Sequence, residues 1–151
     1  MSGEPTPEKR YLRPLWLNER LGDADGRGVV VAVIDSGYGP PESTLPTGVV
    51  PGLGFVHPDH DLRLHRSHNY RDLLGHGTAV ADVIRTVAPR VEIRPLRIFG
   101  RRLETSPEVL VAALDQAAQE GVGVINLSLG SPSESAREPI QAACERARQA
   151  G

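Results

Sequence analysis

A run of six apolar residues, Val29-Val30-Val31-Ala32-Val33-Ile34, five of them β-branched, breaks off on Asp35-Ser36-Gly37. Unalternated β-branched residues of this length describe a strand covered on both faces, the habit of a central strand in a parallel sheet. The break puts Asp35 at the strand's C-terminal edge, where open α/β sheets collect ligands and chemistry. A carboxylate there is costly unless something pairs with it. What Asp35 meets is therefore the first question the chain poses.

The rest of the chain alternates around that strand. Residues 1–26 form an N-terminal arm, polar and Pro-bearing at first, then apolar at Tyr11, Leu12, Leu15, Trp16 and Leu17, and closing in a turn cluster. Residues 27–151 read as one α/β unit. Val49–Val56 is a short strand candidate interrupted by Pro51 and Gly52. The chain turns helical at or just after His76, with Val80, Val83, Ile84 and Val87 as the buried stripe. Val91–Phe99 is the next strand, and Thr105-Ser106-Pro107-Glu108 opens a second helix with a capping box and Pro in its first turn. Leu110, Ala113, Leu114 and Ala117 face inward from it, and Gly121 ends it. Val122–Leu129 is another buried strand, and a last helix from about Ser135 to Ala150 points Ile140, Ala143, Cys144 and Ala147 inward. That order specifies a doubly wound parallel sheet.

Several function classes drop out on composition. With a net charge of −2 there is no basic field for nucleic acid or an anionic membrane. No apolar run approaches the roughly 20 residues of a spanning helix, and the first 16 residues hold no apolar core of a signal peptide. The expectation is a cytoplasmic chain. Cys144 is the single cysteine, so no intrachain disulfide can form, and it reads as a small core residue. The Gly37-Tyr38-Gly39 turn fails as a phosphate cradle because Pro40 and Pro41 stand where the anion-holding helix would begin.

Two sets of residues could carry chemistry. Asp35 and His76 are the first. A strand-terminal Asp can accept the Nδ1–H of an imidazole, fix its tautomer and stabilise the imidazolium. A His between Gly75 and Gly77 at a helix start has room to touch a substrate. The alternative is an Asp capping a turn and a His capping a helix, with no contact between them. The second set is the loop with His57, Asp59, His60, Asp61, His65 and His68, whose His-x-x-His pairs could supply four zinc ligands. A solvated surface loop accounts for the same residues, and no metal site is assigned.

Taken together, Val-Ala-Val-Ile-Asp-Ser-Gly at 31–37, Gly-His-Gly-Thr-Ala-Val-Ala at 75–81, Val-Ala-Pro at 87–89 before a strand, and Val-Ile-Asn-Leu-Ser-Leu-Gly at 124–130 resemble the subtilisin-like serine peptidases. The resemblance covers about residues 27–151, in the family's order, and implies the N-terminal part of a subtilisin-like catalytic domain. It implies that Asp35 is the triad aspartate and His76 the general base. It implies that Ser128, Leu129 and Gly130 form the strand that pairs with an extended polypeptide substrate and lines its first specificity pocket. Asn126 would be a buried structural residue of that strand. Calcium is a stabiliser in the family, although no oxygen-rich loop here names ligands, and no other cofactor is implied.

The departures shape the expectation as much as the match. The family's nucleophile lies in a Gly-Thr-Ser segment, and these 151 residues contain none. The oxyanion-hole Asn follows the family's next strand, which would begin just past Gly151. Ser36, Ser67, Ser131, Ser133 and Ser135 offer hydroxyls without that motif. Ala79 replaces the second His of the Gly-His-Gly-Thr word, with no expected effect, and Asp82 replaces a Gly, which should alter helix packing or add an ion pair. The chain alone is expected to be inactive as a protease, with an incomplete sheet whose last strand has an unpaired edge. Its expected partners are a polypeptide substrate or a complementing C-terminal half. The alternative is a non-catalytic half-domain that binds extended peptide through Ser128–Gly130.

Overall fold

The computed structural model describes residues 22, 24–39, 44–57, 63–130 and 134–151. The apolar run that ends on Asp35 becomes strand β1 (Val30–Asp35), and the chain continues through β2 (Leu53–Val56), β3 (His65–Ser67) and helix α1 (His76–Val87). Strand β4 (Glu92–Arg97), helix α2 (Pro107–Gln119), β5 (Val124–Leu127), a 3₁₀ turn (Glu134–Ala136) and helix α3 (Arg137–Ala150) complete the elements among the described residues. The five strands lie in the order β3-β2-β4-β1-β5. β1 pairs in parallel with β4, Asp35 opposite Arg97, and with β5, Val33 opposite Asn126.

β1 is covered on both sides, as its composition demands. Val31 and Val33 join Val49, Ala81, Val91 and Ile93 in a core under α1. Ala32 and Ile34 face the other way, against Leu110, Ala113, Leu114 and Ala117 of α2, with Ala143 of α3 behind them. Helices on both faces of a largely parallel sheet make the doubly wound arrangement.

The differences from the sequence reading have physical causes. β3 runs antiparallel to β2, so the sheet is mixed, and this edge strand has no apolar alternation by which to find it. The Val49–Val56 candidate splits at Pro51-Gly52 into a lone bridge from Val49 to Ile93 and the strand β2. The strands read as Val91–Phe99 and Val122–Leu129 are shorter, as β4 and β5. In α1 the inward face is centred on Gly77 and Ala81, whose lack of bulk lets the helix approach the sheet, with Val80 and Ile84 beside them. Val83 falls on the far side and is 53% exposed. α3 is rotated similarly, so Ala143 is buried and Cys144 is exposed rather than inward. The apolar patch at 11–17, Pro40 and Pro41 lie outside the described residues.

Among the described residues no helix is long and apolar enough to cross a membrane. β5 is the last strand in the sheet order, and its Val124 is 48% exposed.

Candidate functional site

The C-terminal end of β1 and the N-terminal end of α1 meet at the sheet's upper rim. A helix start leaves its first N–H groups without intrahelical acceptors, and Gly75, the residue before α1, makes no side-chain cap. Other residues satisfy them. Ser36 Oγ accepts the N–H of Gly77 at 2.8 Å, and Asp72 Oδ2 accepts the N–H of Thr78 at 2.9 Å. Asp72 Oδ1 accepts the N–H groups of Leu74 and Gly75 at 2.9 and 2.8 Å. The Thr78 hydroxyl donates to Asp72 at 2.6 Å and accepts the N–H of Gly39 at 3.1 Å. The helix start is thereby tied to the loop that leaves β1.

Gly77 makes that approach possible. A Cβ at this position would fall onto the Gly37 carbonyl oxygen, with Gly37 N at 3.0 Å and Asp35 Cβ at 3.2 Å. Gly37 itself has φ of 108°, a conformation side chains resist.

These constraints put His76 Nδ1 2.8 Å from Asp35 Oδ1 and 2.9 Å from Oδ2. Asp35 is fully buried, and its Oδ1 also accepts the Ser36 N–H at 2.6 Å. His76 is 43% exposed, so one ring edge is held by a carboxylate while Nε2, across the ring, is left toward the open side. The two residues are a contacting pair, not separate caps. A neutral imidazole in this geometry carries its proton on Nδ1 and presents a lone pair at Nε2, the form of a general base.

A cavity of about 320 Å³ opens beside His76, walled by Phe99, Leu110, Ser128, Leu129 and Gly130. The structure thus brings Ser128–Gly130 to the same cavity as the imidazole. Asn126 is only half buried, and its amide donates to Ser128 Oγ at 2.9 Å. Ser36 spends its hydroxyl on Gly77 and is buried, and Ser131 and Ser133 lie outside the described residues. The Asp82 carboxylate accepts from the Tyr38 hydroxyl at 3.1 Å, a hydrogen bond rather than an ion pair. Burial and that carboxylate push the Tyr38 hydroxyl above its ordinary pKa. Of the loop weighed as zinc ligands, Asp59, His60 and Asp61 lie outside the described residues. Among the described ones no three His, Cys, Asp or Glu side chains cluster.

Asp72, Thr78 and Ser36 escaped the sequence reading as site residues. The available signal was an Asp three residues before a glycine at a helix start, which is N-cap chemistry. Burial alone would raise the Asp72 carboxyl pKa, but hydrogen bonds from the Thr78 hydroxyl and the Leu74, Thr78 and Gly75 N–H groups hold it below the ordinary carboxylate value. A folded-state pKa below the unfolded one stabilises the fold above the unfolded pKa, and that share is lost as pH falls through the folded value. The chain should accordingly weaken in urea as pH drops below about 4. Asp72→Asn should lower stability at neutral pH by about 2 kcal/mol and remove part of that acid-induced loss. Urea midpoints across pH 3–7 that run parallel for both chains would contradict this role.

Comparison with known proteins gives the family. The family model described as the subtilase family, peptidase S8, matches residues 26–151. The minor extracellular protease Vpr of Bacillus subtilis (strain 168) is 33% identical over 115 residues, which are 70% of this chain and 14% of Vpr. Subtilisin Savinase of Lederbergia lenta is 33% identical over 125 residues, 74% of this chain and 40% of that protein. The crystal structure of a lanthipeptide protease superposes with a TM-score of 0.68 at 23% identity, over 94% of this chain and 42% of the other. The chain thus spans less than half the length of each of these relatives.

Proposed function

The chain belongs to the subtilase family, and from that premise we propose that it supplies the acid–base half of a subtilisin-type serine endopeptidase site. Asp35 holds the imidazole and balances its charge. His76 Nε2 takes the proton of a serine hydroxyl as that oxygen attacks the scissile carbonyl, then gives it to the leaving amine. Ser128, Leu129 and Gly130 bind the extended polypeptide substrate by main-chain pairing beside the His76 cavity. The observation that supports this reading best is the 2.8 Å contact between His76 Nδ1 and a fully buried carboxylate.

The 151 residues contain no Gly-Thr-Ser segment. The proposal therefore assigns the nucleophile and the oxyanion-hole Asn to a complementing C-terminal half. The exposed edge of β5 favours a second reading, in which this unit binds extended peptide without cleaving it.

A fluorophosphonate probe, which forms a bond only to an activated serine, separates the readings. The 151-residue chain alone should neither label nor hydrolyse a casein substrate. Mixed with a complementing segment that carries the Gly-Thr-Ser serine, it should label on that segment. Labelling of the chain alone would overturn the assignment of the nucleophile elsewhere. A folded mixture that binds peptide but stays unlabelled would replace the peptidase reading with the binding one.

A further inference from the structure

A second cleft, of about 730 Å³, lies beyond the loop that walls the His76 cavity, and Glu104, Thr105 and Ser106 line both spaces. Its floor holds two unpaired polar atoms. Arg97, the last residue of β4, is only 6% exposed, yet its Nε–H meets no acceptor. His57 Nδ1 is likewise buried without a partner, while its Nε2 is 3.1 Å from Ser106 Oγ. A buried polar atom left unpaired is costly, and here two of them line one space. Arg101 and Arg102 stand at the same cleft, and Glu104 is the one carboxylate among its lining residues.

Charge selects the ligand. Around the three arginines, Asp72 acts on Arg97, Glu104 lines the same cleft, and Glu108 acts on His57. With that much negative charge already present, a monoanion suits the cleft better than a dianionic phosphate. The planar fork of a guanidinium matches a carboxylate. We infer that this cleft is a binding site for the side-chain carboxylate of an acidic residue, Asp or Glu, in a bound polypeptide. The inference deepens the peptide reading above and rests on it for the source of the carboxylate.

The test needs no hydrolysis, so its failure is distinct from failure of the peptidase assignment. The full 151-residue chain is titrated with N-acetylglutamate α-amide, with the neutral N-acetylglutamine amide and with inorganic phosphate, followed by ¹⁵N NMR. The glutamate derivative should shift the Arg97 Nε–H and the amides of 97–106 saturably, at a half-saturating concentration on the order of tenfold below that of the glutamine one. Arg101→Ala with Arg102→Ala, both on an exposed loop, should raise the half-saturation by roughly threefold or more. Arg97→Gln should abolish the shifts; if that chain unfolds, the loop double variant carries the test. Equal response to the two amides, tighter saturation by phosphate, or shifts spread over arginines elsewhere such as Arg85 and Arg146 would overturn the inference. So would binding that appears only after Asp59→Asn and Asp61→Asn, because the chain's own carboxylates would then be the occupants.

Discussion

Gly77→Ala should cost the fold about 3 kcal/mol, near the top of what overpacking usually exacts. The added methyl would land on the Gly37 carbonyl oxygen, and its other near neighbours are Gly37 N and Asp35 Cβ. None of these is the free end of a side chain, so no rotamer change relieves the clash. Either α1 backs away from β1 or the loop after Asp35 shifts. Against a total stability of about 5–15 kcal/mol for a domain, that loss should move the urea midpoint by roughly 1–2 M. Either movement also separates His76 from Asp35, so the His76 ring signals should change with it. Gly123→Ala is the control, since its Cβ would meet only ordinary contacts at 3.6 and 3.8 Å. An unchanged midpoint and unchanged His76 signals in Gly77→Ala would mean that the close approach of helix and strand is not what fixes the pair.

Asp35→Asn should disable the proposed chemistry while leaving the fold in place. The Ser36 N–H donates to Oδ1 at 2.6 Å, which pins an oxygen at that position in the variant too. The amide nitrogen then takes the place of Oδ2, 2.9 Å from His76 Nδ1, and points a hydrogen at it. Two hydrogens cannot share that space, so the neutral imidazole moves its proton to Nε2. The nitrogen that should accept the serine proton becomes a donor. In the 151-residue chain, ¹⁵N shifts of the imidazole should report the exchanged tautomer. In the complemented enzyme, turnover should fall about 10⁴-fold. A variant that keeps the Nδ1–H tautomer and loses less than tenfold in turnover would remove Asp35 from its proposed role.

What the sequence disclosed follows the range of the interactions involved. β1 was readable because burial on both faces is written in its own six residues, and Asp35 because it terminates them. His76 was readable as a helix start between glycines. That the two touch came into view only when separated words were taken together, since they stand 41 positions apart in the chain. Asp72 was missed because its partners become neighbours only once the loop into α1 folds back. β3 was missed because three polar residues on an edge have no periodicity to betray them. Cys144 and Val83 were misplaced for a subtler reason. Helical spacing gives the width of an apolar face, but the small residues Gly77, Ala81 and Ala143 decide where its centre lies.

The knot of hydrogen bonds among Ser36, Gly39, Asp72, Gly77 and Thr78 draws only on residues 36–78. In the proposed role, an imidazole anchored by so local a scaffold is in working posture before the rest of the catalytic site closes around it. Whatever brings the serine would then spend its association energy on delivering one hydroxyl, with none diverted to organising the base that receives the proton.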